Sequence, residues 1–231
     1  MNYKHIQLSY HLAFAGIFIL TIGITGCKST EHPQKESAPA NDEKLTELYW
    51  TRQDSALQNF TQDDVKFMVG MICHHAQALV MSRLAPENNA NRQVQTLSSR
   101  IINAQKDEIE TMQKWLRMRN QPVPQIDIDS LDLKITLSGK PYTKYKNMPG
   151  VLAEEQLHEL ARARGSDFDR LFLTYMIEHH KGAVVMVDNL FSKDGAAQGE
   201  STYRLASGIQ VDQRTEIDRM NLMLNKLSNA D

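Results

Sequence analysis

Apolar residues recur every three to four positions along four long stretches of this chain, the spacing of helices that each bury one face. The first stretch predicts a helix over about Thr61–Leu84, with Thr61 and Asp63 or Asp64 as candidates for its N-cap and Pro86-Glu87-Asn88-Asn89 to end it. The second covers about Asn91–Arg119 and stops before Gln121-Pro122-Val123-Pro124. The third runs from Ser166 or Asp167 to Leu190, with Gly195 in the loop after it, and the fourth covers about Ser201–Leu227. Residues 120–150 lack the period and contain Pro122, Pro124, Gly139, Pro141, Pro149 and Gly150. They predict a long connector with an extended segment around Ile126–Ile135. Residues 152–163 predict a short helix closed by Gly165. An isolated hairpin has nothing against which to bury its apolar stripe, so residues 45–231 should form one all-α domain, a bundle of four helices.

The two hairpins are copies of one another. Met71-x-x-His74-His75-x-x-Ala78-x-x-Met81 returns as Met176-x-x-His179-His180-x-x-Ala183-x-x-Met186, at an offset of 105 residues. Gln105-x-x-Glu108-Ile109-x-x-Met112 returns as Gln213-x-x-Glu216-Ile217-x-x-Met220, at an offset of 108. The copies therefore differ by three residues in the loop between the two phrases. Repeat 1 spans about 60–119 and repeat 2 about 151–227, and a duplicated hairpin with one long crossover is the ferritin-like arrangement.

On a helical projection the histidines, methionines, Gln105, Glu108, Gln213 and Glu216 all fall on the apolar stripes that face the bundle interior. A carboxylate on such a face costs several kcal/mol unless it is paired. Glu108 and Glu216 must then either hydrogen-bond a histidine from behind or bind a metal directly. This makes Met71, His74, His75, Met81, Met176, His179, His180 and Met186 the candidate metal ligands. Gln105, Glu108, Met112, Gln213, Glu216 and Met220 stand as the supporting or alternative ones. Imidazole and thioether donors without a thiolate suit a soft ion, above all Cu(I), with Ag(I) as its analogue. Met68, Met118 and Met223 read as packing, and Trp50 and Trp115 as core or rim. Cys73 falls opposite the site face.

Composition narrows the setting. Residues 1–26 read as an export signal: Lys4 is followed by an apolar run from Leu12 to Thr25 and by Ile24-Thr25-Gly26-Cys27, the form of a bacterial lipobox. Cys27 is then the lipidation site, and Lys28 after it favours an outer membrane facing the periplasm if the host is Gram-negative. Residues 27–44 are polar, contain Pro33 and Pro39 and show no period, so they predict a disordered tether. A formal net charge of −2 with no basic stripe gives no footing for nucleic acid. Once Cys27 is lipidated, only Cys73 remains of the two cysteines, so the fold must rest on its core rather than on a disulfide.

The chain resembles the domain-of-unknown-function 305 family, exported bacterial proteins that include copper-binding members of the CopM type. The resemblance rests on the two repeat phrases, on Trp115-Leu116, on Met148-Pro149-Gly150, and on Gly165-x-x-Phe168-Asp169-Arg170-x-Phe172. Two departures stand out: Cys73 within the first His-His phrase, and Gln77 where the second copy has Gly182. The resemblance implies a ferritin-like bundle. The expected function is a membrane-tethered protein that binds Cu(I) for sequestration or tolerance, without catalysis. The alternatives are a di-iron or di-manganese oxidase, for which the Glu-x-x-His spacing is missing from every site helix, and a metal-free binding module.

Overall fold

A computed structural model describes residues 40–229 of the chain. The leader, Cys27 and most of the expected tether lie outside the described residues. The tether was expected to reach residue 44, but the chain is helical from Ala40: α1 covers Ala40–Gln58, with almost every side chain from Asp42 onward exposed. Its polar and charged residues are spread around the helix, so the apolar period that betrays the other helices is absent. Trp50, expected at the core or rim, is 60% exposed on this helix. Among the described residues no helix is long and apolar enough to cross a membrane.

Four helices then build the bundle in two hairpins: α2 (Gln62–Glu87) with α3 (Arg92–Met118), and α5 (Gly165–Phe191) with α6 (Glu200–Ser228). Within each hairpin the two helices pack along their length, and α2 and α5 pack on each other at the centre. Helix α2 starts at a capping box in which Thr61 Oγ1 accepts the Asp64 amide and Asp64 Oδ2 accepts the Thr61 amide. Asn91 caps α3 by accepting the amides of Gln93 and Val94.

Each hairpin also fastens the loop of the other. Asp64, 1% exposed, accepts the amide of Ala197 in the α5–α6 loop at 2.7 Å. Its repeat equivalent Asp169, 2% exposed, accepts the backbone and side-chain N–H of Asn91 in the α2–α3 loop. Burial raises the Asp169 carboxyl pKa, and the two bonds from Asn91 oppose that rise. A charged hydrogen bond of this kind contributes about 1.5–3 kcal/mol, and both set the ends of the hairpins against each other.

The connector is more structured than its proline content predicts. It folds into an antiparallel sheet of β1 (Gln125–Asp129), β2 (Asp132–Leu137) and β3 (Lys140–Pro141), in the order β1-β2-β3, followed by a short 3-10 helix at Lys144–Asn147 and helix α4 (Glu154–Arg162). Ile126 pairs with Ile135 and Ile128 with Leu133, which places these side chains on one face. That face packs over Cys73 and Ala76 of α2, with Tyr145 and Tyr142. Cys73 is thus a core residue beneath the sheet, and burial pushes its thiol up to about 12.

Two apolar clusters fill the bundle. One holds Met71, Met112, Trp115 and Leu116 with Ala183, Val187 and Ile209; the other holds Ala78, Met81 and Ile101 with Phe168, Phe172, Met176 and Met220. The His-His pairs of α2 and α5 occupy the level between them. Met118, expected to pack, is 50% exposed at the end of α3.

Candidate metal centre

His74, His75, His179 and His180 are all 0% exposed. Neighbouring residues on a helix point about 100° apart, so each pair faces two directions. His74 and His179 turn towards each other across the α2–α5 contact, with ring centroids 3.9 Å apart. His75 turns to α3 and meets Glu108, Nε2 to Oε2 2.7 Å; His180 turns to α6 and meets Glu216 at the same 2.7 Å. Hydrogen bonding of each carboxylate to a histidine is one of the two arrangements that the projection left open. Glu108 and Glu216 sit closer to the surface than it suggests, with side chains 15% and 19% exposed. Asp212 shares this edge: its pKa is raised first by burial and then by the charges of Glu108 and Glu216.

The fourth direction is covered by the connector. His74 Nε2 donates to the carbonyl oxygen of Pro149 at 3.0 Å. The segment can come this close because Gly182 has no side chain: a β-carbon there would lie 2.0 Å from the Pro149 oxygen. At the matching position of the first repeat, Gln77 grips the same segment further on, donating to Leu152 O and accepting from Leu152 N. One connector crossing a duplicated bundle must break its symmetry, and Gly182 against Gln77 is where it does so.

These bonds decide which ring nitrogens are free. Carbonyl and carboxylate oxygens only accept, so the Nε2 facing one in His74, His75 and His180 carries a hydrogen. The Nδ1 atoms of all three are buried without a hydrogen-bond partner among the described residues, and in a neutral ring of this tautomer Nδ1 is a lone pair. His179 has none for either ring nitrogen. Burial holds the His74 pKa down to about 3, helped by the charge of His75 and opposed by the Pro149 carbonyl. Burial likewise holds His179 well below the ordinary histidine value, with His74, His180 and His75 adding to it and the backbone of His74 opposing. Both rings are neutral at pH 7, the form that binds metal.

Around this layer Met71, Met81, Met112, Met176 and Met220 are 0% exposed, in the clusters on either side of it, and Met186 is half-buried. Gln105 and Gln213, 1% and 2% exposed, add a further buried amide each; both polar atoms of Gln105 and Oε1 of Gln213 lack partners among the described residues. Among the described residues no three His, Cys, Asp or Glu side chains form a metal-holding group. What the bundle offers instead is four imidazoles with free lone pairs and thioethers at adjacent levels, a soft donor set that fits a soft ion. An unpartnered buried polar atom costs about 1–3 kcal/mol, and a coordinated ion would remove that cost here. Sequence reasoning missed the Pro149 carbonyl and Asp212; the break of the repeat at Gly182 was the available signal for the first.

The family described as Domain of unknown function (DUF305) matches residues 64–224. No curated protein matches the chain. Among solved structures, a DUF305 fragment from Deinococcus radiodurans is 29% identical, with a TM-score of 0.59 over 72% of this chain and 98% of that one. A DUF305 protein from Streptomyces coelicolor, described as secreted, is 25% identical, with a TM-score of 0.59 over 72% and 94%. CopM in its Cu(I)-bound form is 26% identical, with a TM-score of 0.52 over 71% and 96%, and CopM has also been solved with Cu(II) and with Ag. The chain belongs to the DUF305 family.

Proposed function

We propose that this chain is an exported, lipid-anchored protein that binds Cu(I), or Ag(I) in its place, through histidine and methionine and holds it for sequestration or tolerance. The observation that carries the reading is the layer of four buried histidines, each with a ring nitrogen that has no hydrogen-bond partner among the described residues. In three of them an oxygen acceptor on Nε2 fixes the ring, and for His75 and His180 that acceptor is a carboxylate. A carboxylate behind a histidine both orients it and raises its basicity as a ligand. The thioethers of Met71, Met81, Met176 and Met186 add affinity for a soft ion and none for a hard one, so the selectivity expected is for Cu(I) over Zn(II) and Fe(II). CopM, a relative that binds copper and silver, supports the choice of ion. The reading needs no catalysis. Anchoring rests on Ile24-Thr25-Gly26-Cys27 behind the apolar run.

Competition with a Cu(I) chelator under reducing conditions tests it. The His179→Ala/His180→Ala double variant should lose more binding than Met176→Leu or Met186→Leu, since leucine keeps the volume and deletes only the sulfur. Wild-type affinity in all three variants would place the ion elsewhere and leave the histidines structural.

A further inference from the structure

Met148 stands outside the repeat, at the head of the connector segment that lies over His74 and His179. That segment is seated by two close approaches. A β-carbon on Gly182 would overlap Pro149, and one on Gly150, whose φ is +76°, would fall 2.5 Å from the carbonyl oxygen of Glu178. The backbone beside Met148 is therefore fixed against α5 at the level of His179.

The Met148 side chain ends over Gly70 of α2. A β-carbon at Gly70 would lie 3.2 Å from Met148 Cε, 3.7 Å from its Sδ, and 3.3 Å from Met186 Cε. Two thioether side chains from two separate elements thus meet in the space that the missing side chain leaves. Gly70 is one helical turn before His74, and Met186 follows His179 by two turns on the same face of α5. The burial of this pair differs from that of the other site methionines. Met71, Met81, Met112, Met176 and Met220 are fully buried, whereas Met148 and Met186 are both half-buried.

We propose that Met148 and Met186 form a dithioether site for a soft monovalent ion, Cu(I) or Ag(I), at the rim of the histidine layer. The proposal rests on the copper-binding reading above and adds a second, more exposed binding place to it. Thioether sulfur is neutral at every pH and polarisable, so it takes a soft ion without releasing a proton and ignores hard divalent ions. Methionine has three rotatable bonds, so both sulfurs can turn onto one ion without moving the helices. The fully buried donors have no such access to solvent.

The test is an Ag(I) titration of the full chain labelled with 13C at the methionine methyls, followed in 1H–13C correlation spectra. Met148→Leu and Met186→Leu assign the two signals and keep the packing volume. Both signals should shift in the first equivalents of Ag(I), and each shift should fall at least fivefold when the other residue is leucine. Two shifts that are independent of each other would overturn the pair. If both signals stay in place while those of Met71 or Met176 move, the rim site is refuted and the copper-binding reading stands. A parallel titration of 15N-labelled protein follows the histidine rings: if they respond while no methionine methyl moves, the rim site alone is refuted, and if neither responds, both readings fall together.

Discussion

Two helical glycines should respond to the same substitution with opposite sign. Gly→Ala in a helix interior ordinarily stabilises by about 0.5–1 kcal/mol, because alanine restricts the unfolded chain and favours the helix. Gly208 of α6 is exposed with nothing within 4 Å of its missing β-carbon, so Gly208→Ala should gain that amount. At Gly182 the added carbon would sit 2.0 Å from the Pro149 oxygen, 2.4 Å from its carbonyl carbon and 2.8 Å from the Gly150 nitrogen. All three are backbone atoms, so no side chain can swing away; the whole segment must lift by about 1 Å to restore van der Waals contact. Lifting it stretches the 3.0 Å bond from His74 Nε2 and leaves a fully buried N–H without an acceptor. Overpacking costs about 1–3 kcal/mol and the orphaned donor another 1–3 kcal/mol. Set against the helix gain, the net loss is about 1–5 kcal/mol. For a domain of this size that lowers Tm by roughly 2–20 °C. Urea denaturation and thermal melting of the two single variants beside wild type measure both signs at once. Equal or greater stability in Gly182→Ala would mean that the connector does not lie on α5, and the account of His74 would fall with it.

Two further outcomes follow from the site and one from the leader. Glu108→Ala should destabilise the metal-free protein by about 1–3 kcal/mol, since the His75 Nε2 hydrogen loses its acceptor in the core; a change within error in a denaturant titration would contradict the pairing. The metal-free protein should also weaken in acid: His74 titrates near 3 and His179 well below its ordinary 6.5, so below about pH 6.5 the unfolded chain binds protons that the native one refuses. Stability is whole above that pH, and each ring removes about 2 kcal/mol between pH 7 and pH 5, an upper figure that flat stability over this range would refute. Cys27→Ser should release the protein from the membrane fraction, and retention of that variant would refute lipid anchoring at this residue.

The four bundle helices were legible because their period, caps and breakers agree: Thr61 and Asn91 cap where the apolar stripes begin, and the loops carry Asn, Gly and Pro. That Glu108 and Glu216 need a partner was legible from helical projection, because a carboxylate on an apolar stripe has few partners and the duplication supplies each twice; which histidine each one meets depends on how the helices pack. The connector was not. Its alternation at Ile126, Ile128, Leu133 and Ile135 indicates extended chain, but the pairing of those strands and their seat over Cys73 depend on tertiary packing. The acceptor for His74 is a backbone carbonyl, which every residue has and no sequence marks. Only the contrast between Gly182 and Gln77 records its presence. Met148 stands in the Met148-Pro149-Gly150 phrase but was given no role, since comparing the two repeats is blind to what lies between them. Helix α1 escaped notice because its few apolar residues leave charge on every side.

On the copper-binding reading, the buried histidines present lone pairs, fixed by their oxygen partners, to a soft ion. Long-range 1H–15N correlation of the histidine rings, recorded on the metal-free protein and after addition of Cu(I) under reducing conditions, addresses it directly. Nε2-protonated rings are expected at His74, His75 and His180, with bare Nδ1 atoms whose signals move when Cu(I) binds while the Nε2 hydrogens remain. Nδ1-protonated rings, or Nδ1 signals that do not respond to Cu(I), would contradict it.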